Sequence, residues 1–258
     1  WESIKLFSCS IYIIIIYKKN SLYIKMKKIE ILKVKDSSEA YYTKKSQIFD
    51  LPMKIAVIGA SQRSGKTNFI INALGRDRFY GKDFKPENIY IFSPSLQTNK
   101  WQRFIEAKGV PPENLFDSLN EDELTSLYED VEEEYQDAVE NNKKPPNKIC
   151  IFDDLSYDGS LRGKTKFGII DKLVCNGRHF NLSSAFLVQT YKGLSPDVRA
   201  NLSGLVVFNI STRELESVVN EHSYMPSNKD FMKMFRKVTK KKHSFMVINY
   251  SNSPEELY

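Results

Sequence analysis

From residue 51 onward, short apolar runs alternate with stretches whose apolar residues recur every three or four positions. Residues 53–58 (MKIAVI) run without a charged residue after Lys54 and stop at Gly59, which predicts a strand buried on both faces. Residues 88–92 (NIYIF), 148–152 (KICIF), 182–188 (LSSAFLV), 204–210 (GLVVFNI) and 243–250 (HSFMVINY) repeat the pattern. Between them the period changes. Residues 66–74 carry Phe69, Ile70, Ala73 and Leu74 at helical spacing before Gly75. Residues 97–107 place Trp101, Phe104 and Ile105 on one face and end before Gly109 and Pro111-Pro112, and helices are also predicted over 121–141 and 167–175. Strands separated by helices imply a mainly parallel sheet covered on both faces.

Charge is unevenly distributed. The 258 residues carry a formal net charge of +6, but residues 1–50 hold ten lysines against five acids, so the body is nearly neutral. We therefore read residues 1–50 as a basic tail and 51–258 as the folded domain. The chain begins at Trp1, and Met26 is a candidate initiator that would leave 1–25 outside the native protein. The run Ile11-Tyr12-Ile13-Ile14-Ile15-Ile16-Tyr17 is far shorter than the roughly 20 apolar residues of a spanning helix. No membrane partner is expected. A hydrophobic content of 41% excludes wholesale disorder, and three scattered cysteines exclude a disulfide framework or a zinc knuckle. A reducing, intracellular setting is the expectation.

Two charge runs modify this picture. Residues 113–140 contain twelve acids and no lysine or arginine, which reads as a solvated helix face. Residues 229–242 contain Lys229, Lys233, Arg236, Lys237, Lys240, Lys241 and Lys242 interleaved with Phe231, Met232, Met234 and Phe235. That pattern suits a basic surface helix or a phosphate-backbone contact.

The chemistry begins where the first strand meets the first helix. Gly59-Ala60-Ser61-Gln62-Arg63-Ser64-Gly65-Lys66-Thr67 departs from the strict phosphate-loop pattern only in having Ala60 where glycine is usual. Small residues let backbone N–H groups turn inward around phosphates, and the helix N-terminus adds its dipole. Lys66 supplies a cation for the β/γ oxygens and the Thr67 hydroxyl reaches Mg²⁺. The nucleotide-binding set is Ala60, Ser61, Gln62, Arg63, Ser64, Gly65, Lys66, Thr67 and Asn68, with ATP and Mg²⁺ as cofactors.

A second strand end completes the site. Ile149-Cys150-Ile151-Phe152-Asp153-Asp154 puts two carboxylates at the tip of an apolar run. Asp153 fits the metal-holding role with Thr67, and Asp154 is placed to orient or deprotonate an attacking water. Gln189, at the tip of 182–188, faces the same crevice and can contact both γ-phosphate and water. Arg178 and Arg199 flank this strand, and either could reach a neighbouring subunit's site as an arginine finger. His179 reads as a packing or hydrogen-bonding residue rather than a catalyst.

The combination Ala60-x4-Gly65-Lys66-Thr67, Phe152-Asp153-Asp154, Gly177-Arg178-His179, Gln189-Thr190 and Arg199-Ala200-Asn201 resembles the FtsK–HerA superfamily, and within it the genome-packaging ATPases of large DNA viruses, virophages and polinton-like elements. The similarity covers roughly residues 50–250. It implies an α/β, RecA-like (ASCE-type) P-loop NTPase that assembles as a homo-oligomeric ring and pumps double-stranded DNA into a capsid. It further implies Lys66 and Thr67 for nucleotide, Asp153 for Mg²⁺, Asp154 as base, Gln189 as sensor and Arg178 as the finger. Capsid proteins are implied partners, and the host cytoplasm, a viral factory or the virion the implied location. Two other readings compete. One is a P-loop phosphotransferase with Arg162, Lys164 and Lys166 in a cationic lid; Asp154 and Gln189 argue against it. The other is a nucleotide-switched assembly protein without processive motion.

Overall fold

The computed structural model describes residues 9–12, 15–18, 21–24, 28–31, 48–60, 64–155, 168–253 and 256–258. The chain divides into two compact units, residues 1–40 and 41–258. In the first, β1 (Cys9–Tyr12) pairs antiparallel with β4 (Lys28–Ile31), and β2 (Ile15–Lys18) pairs antiparallel with β3 (Ser21–Ile24). Most of the isoleucine-rich run is thus strand, with Ile13 and Ile14 outside the described residues.

The second unit is built on a seven-stranded sheet in the order β11-β10-β5-β9-β8-β6-β7. Its strands are β5 (Lys54–Ile58), β6 (Ile89–Phe92), β7 (Leu115–Phe116), β8 (Lys148–Asp153), β9 (Leu182–Val188), β10 (Gly204–Phe208) and β11 (Phe245–Asn249). All neighbours are parallel except β11, which runs antiparallel to β10. The strand carrying the two carboxylates, β8, is not adjacent to β5, because β9 lies between them.

The apolar runs are continuous because both faces are covered. Alternate residues of each strand enter opposite cores. Ile55, Val57, Ile91, Ile151 and Leu187 pack with Ile70, Leu74, Trp101 and Phe104 of helices α1 (Lys66–Gly75) and α2 (Asn99–Lys108). Ala56, Ile58, Phe92, Phe152 and Phe186 pack on the other face with helices α3 (Glu121–Glu140), α4 (Ile169–Asn176), α5 (Pro196–Ala200), α6 (Thr212–His222) and α7 (Asn228–Val238). On that face four rings stack from strand to strand: Phe186 on Phe152 at 4.9 Å, Phe152 on Phe92 at 5.1 Å, and Phe92 on Phe116 at 4.4 Å. Aromatic pairs of this kind contribute about 0.5–1.5 kcal/mol each beyond burial, so the row fixes strand register as well as filling the core.

The predicted helices appear with small boundary shifts. α3 is the acidic one: it buries Leu124, Tyr128, Val131 and Tyr135 and turns its acids outward, the solvated face its sequence suggested. Sequence reading passed over β7, too short to show a pattern, and α6. The latter has its own signal, a Ser211 N-cap and Leu215, Val218, Val219 and His222 on one buried face. The basic run 229–242 is only partly helical. α7 ends at Val238, and Lys240, Lys241 and Lys242 lie in the exposed turn before β11.

A polar knot ties the far side of the sheet together. Both ring nitrogens of buried His222 meet tyrosine hydroxyls, Nε2 that of Tyr191 and Nδ1 that of Tyr250, while the Tyr258 hydroxyl donates to the His222 carbonyl. Burial pushes the His222 pKa down to about 4, helped by Arg199 and opposed by Glu221. The folded protein therefore holds a neutral imidazole that the unfolded chain protonates near pH 6.5. Stability from this site is full above about pH 6.5 and falls as pH drops toward 4, by up to roughly 3 kcal/mol. Melting temperatures measured from pH 7 to pH 4.5 should show a steeper decline for the native chain than for His222→Asn. Parallel slopes would mean that other groups carry the acid sensitivity.

Candidate functional site

Parallel strands deliver their C-terminal tips to one edge, and this edge gathers the phosphate loop, the carboxylates and the glutamine. The Gly59 N–H donates to the Val188 carbonyl at 3.2 Å, tying the loop to the strand that separates β5 from β8. A Cβ on Gly59 would stand 2.9 Å from the Ser64 side chain. Gly65 has φ 116°, and a Cβ there would stand 2.8 Å from the Phe208 ring. These two positions require glycine by contact and conformation; Ala60 is exposed, so its methyl group is accommodated. Ser61, Gln62 and Arg63 lie outside the described residues.

Lys66 is buried at the head of α1, and its ammonium donates to the carbonyls of Gly59 at 3.0 Å and Ala60 at 3.1 Å. Burial lowers its pKa, while Asp154 and Asp153 act in the opposite direction. Asn68 is exposed on the first turn of the same helix.

Asp153 ends β8 at 2% exposure. Its Oδ2 accepts from the Trp101 indole Nε1 at 2.9 Å and from the Thr67 hydroxyl at 3.3 Å. Its Oδ1 is buried and has no hydrogen-bond partner among the described residues. Burial raises the Asp153 pKa to about 6, and the Trp101 hydrogen bond is the largest influence opposing that rise. An orphaned carboxylate oxygen beside the Thr67 hydroxyl and the phosphate loop fits a hard divalent cation. Mg²⁺ is commonly held by one or two carboxylates together with phosphates and water.

Asp154, the next residue, turns away from the strand in a left-handed conformation with φ 58°. Its Oδ1 accepts from the Gln189 amide at 3.1 Å, and its own N–H donates to the Leu187 carbonyl at 3.3 Å. Asp153 faces inward toward Thr67 and Trp101, while Asp154 is half-buried and linked to β9. Two adjacent carboxylates thus occupy different environments, one buried beside Thr67 and Trp101 and one half-buried against Gln189.

The two arginines lie elsewhere. Arg178 is exposed in the turn before β9, and after burial it is the main influence lowering the pKa of Lys54, the first residue of β5. It therefore lies near the N-terminal edge of the sheet, on the order of 15 Å along β5 from the phosphate loop of its own subunit. Arg199 is engaged within the subunit: its Nη1 pairs with Glu221, and its guanidinium lies 5.1 Å from the Tyr191 ring centre. Only 14% of its side chain is exposed. His179 is exposed, in the turn that also carries Arg178. The lid residues Arg162, Lys164 and Lys166 lie outside the described residues.

Sequence reading missed three contributors. Helical spacing places Trp101 on a helix face, and only the fold brings its indole to a carboxylate 52 positions away. Phe208 closes on Gly65 from the tip of β10. His243, in the turn before β11, has Nδ1 3.3 Å from the Ser64 carbonyl, to which its N–H donates in the Nδ1-protonated tautomer.

Comparison with known proteins adds the family. The family described as Poxvirus A32 protein matches residues 39–256. The DNA packaging protein OPG160 of Variola virus is 25% identical over 194 residues, covering 75% of this chain and 67% of that protein. An uncharacterized protein of Acanthamoeba polyphaga mimivirus is 29% identical over 195 residues, covering 75% and 66%. Among solved structures, the genome packaging NTPase B204 from Sulfolobus turreted icosahedral virus 2, in complex with sulfate, matches with a TM-score of 0.51 at 16% identity. That match covers 78% of this chain and 94% of the other, and it shows the P-loop α/β fold.

Proposed function

The chain belongs to the Poxvirus A32 protein family, and from that premise we propose that it is an ATPase motor that drives double-stranded DNA into a viral capsid. The observation that carries the reading is the pairing of Gln189 with Asp154 beside a phosphate loop whose Thr67 is bonded to Asp153. A phosphotransferase must leave the γ position open to an acceptor. The carboxylate of Asp154, bonded to the Gln189 amide, instead supports activation of a water. The packaging roles named for the Variola virus and Sulfolobus virus relatives support the same assignment.

In this reading Lys66 and the loop amides hold the β/γ-phosphates, and Thr67 and Asp153 hold Mg²⁺. Bound Mg²⁺ would neutralise charge on the transferred phosphoryl group. Asp154 takes the proton from the attacking water, with Gln189 orienting both. Arg178 serves a neighbour's site in a homo-oligomeric ring, since it is exposed and remote from its own. Lys240, Lys241 and Lys242 contact the DNA backbone. Capsid proteins are the docking partners, and the viral factory or the virion is the location. No helix among the described residues is long and apolar enough to cross a membrane.

Asp154→Asn should keep nucleotide affinity and lose hydrolysis by about 10²–10⁴-fold, the usual contribution of a positioned base. Equilibrium binding and steady-state turnover decide it: turnover within a few-fold of the native rate removes Asp154 from the base role.

Mixing Arg178→Ala subunits with Lys66→Ala subunits should recover part of the activity that each lacks alone, because one kind of interface then pairs an intact loop with an intact finger. No recovery in demonstrably mixed assemblies would argue against a role in trans.

Neutralising Lys240, Lys241 and Lys242 together should weaken binding to any duplex sequence and reduce the log–log salt slope by about 0.9 for each lost phosphate contact. ATP hydrolysis measured with and without double-stranded DNA should show that stimulation falls in the triple variant. An unchanged salt slope would leave these lysines as a solvated surface.

A further inference from the structure

The chain leaves the tip of β9 through one short turn. Gln189 and Thr190 follow Val188, the last residue of the strand, and Tyr191–Gly193 then form a turn of 3-10 helix. Tyr191 is 0% exposed. Its hydroxyl donates to Glu221 at 2.7 Å and meets His222, and the Arg199 guanidinium lies over its ring. The first N–H of a helical turn finds no partner inside that turn, and a buried one left unmet is costly. Here the carboxylate of Glu214 takes it: Oε2 accepts from the Tyr191 N–H at 2.9 Å.

Glu214 is half-buried in the first turn of α6. Ser211-Thr212-Arg213-Glu214 has the spacing of a capping box, and the Ser211 hydroxyl accepts from the Glu214 N–H at 3.3 Å. In that motif the glutamate side chain ordinarily turns back to the N–H of its own cap residue. The Glu214 carboxylate instead reaches across to the exit of β9. Gln189 is thus held between two fixed points. On one side Val188 lies in the sheet and accepts from the Gly59 N–H; on the other, Tyr191 is fastened to α6. We infer that Glu214 is a positioning residue for Gln189: by fixing the Tyr191 backbone it sets where the Gln189 amide meets Asp154. The inference rests on the hydrolytic role of Gln189 proposed above. Glu214 acts through the backbone and takes no part in the chemistry, yet a misplacement of about 1 Å in an orienting group can cost about 10²-fold in rate.

Steady-state hydrolysis and equilibrium ATP binding test this on the full chain, in a cycle of Glu214→Ala, Gln189→Ala and the double variant, each read below its own melting temperature. Glu214→Ala should lower kcat by about 10–10²-fold and leave ATP affinity unchanged, the mark of a loss felt only in the transition state. Glu214→Gln keeps a side-chain oxygen that can accept from the Tyr191 N–H. It should retain most of the native kcat, and it guards against a folding defect. In the Gln189→Ala background the loss of Glu214 should cost nothing further, because the group it positions is gone. Losses that multiply, with Gln189→Ala impaired on its own, would overturn the positioning and leave the role of Gln189 intact. Native turnover in Gln189→Ala would remove that role and the inference with it. Native kcat in Glu214→Ala, whatever its melting temperature, would overturn the inference as well.

Discussion

A carboxylate buried at the end of a fully buried strand is the constraint around which the functional edge is arranged. Asp153 closes β8, whose six residues are all buried, so water cannot solvate a group that is ordinarily charged. Isolated burial of a carboxylate costs several kcal/mol unless partners compensate, and the pKa raised to about 6 records that cost. Compensation comes from both neighbours of the strand tip: α1 supplies the Thr67 hydroxyl and α2 the Trp101 indole. Both bonds go to one oxygen and leave the other without a partner. The carboxylate is thereby held in one orientation, with the lone pairs of its other oxygen unengaged among the described residues.

The insertion of β9 between β5 and β8 follows the same logic. With β9 between them, the loop and Asp153 are two strands apart, and the tip of β9 lies in the middle. That tip carries Gln189, whose amide reaches Asp154. Gly59 is pinned to Val188 on the same strand, and Asp154 to Leu187, so β9 sets the distance between the two halves of the site. The row of stacked phenylalanines from β9 to β7 holds that part of the sheet in register behind it.

The legibility of these parts in the sequence follows from their physics. The phosphate loop and the paired aspartates were readable because each is made of contiguous residues of fixed type. The strands were readable because burial on both faces leaves runs without polar interruption. Trp101 was not readable in its role, since nothing in a helix-spaced tryptophan reveals which polar atom it will meet after folding. Arg199 shows the converse: its sequence position left a finger role open, but Glu221 and the Tyr191 ring engage it through contacts that only tertiary structure creates. Gly59 and Lys66 are seven positions apart, an interval the motif itself displays; Gly65 and Phe208 are 143 positions apart, and the approach of that ring to the loop had no local signature.

The direction of the last strand matters most for the basic cluster. In sequence Lys240–Lys242 follow α7 and stand far from the phosphate loop, which suggests a separate surface. Because β11 runs antiparallel to β10, its N-terminal end pairs with the C-terminal end of β10: Phe245 lies opposite Phe208 and Asn249 opposite Gly204. The entrance to β11 therefore arrives at the same edge as the tips of the parallel strands. A parallel β11 would have placed that entrance at the opposite edge, beside Lys54. The consequence is a short covalent path in which three exposed lysines, His243 with φ 66°, and Phe245 succeed one another within six residues. His243 contacts the Ser64 carbonyl and Phe245 contacts Phe69, so the turn bearing the lysines is anchored to the phosphate loop at one point and to α1 at another. Any ligand that shifts this turn must act on loop contacts as well, and by linkage whatever orders the loop acts equally on the turn. One reversal of strand direction thus joins two charged regions that the sequence keeps apart.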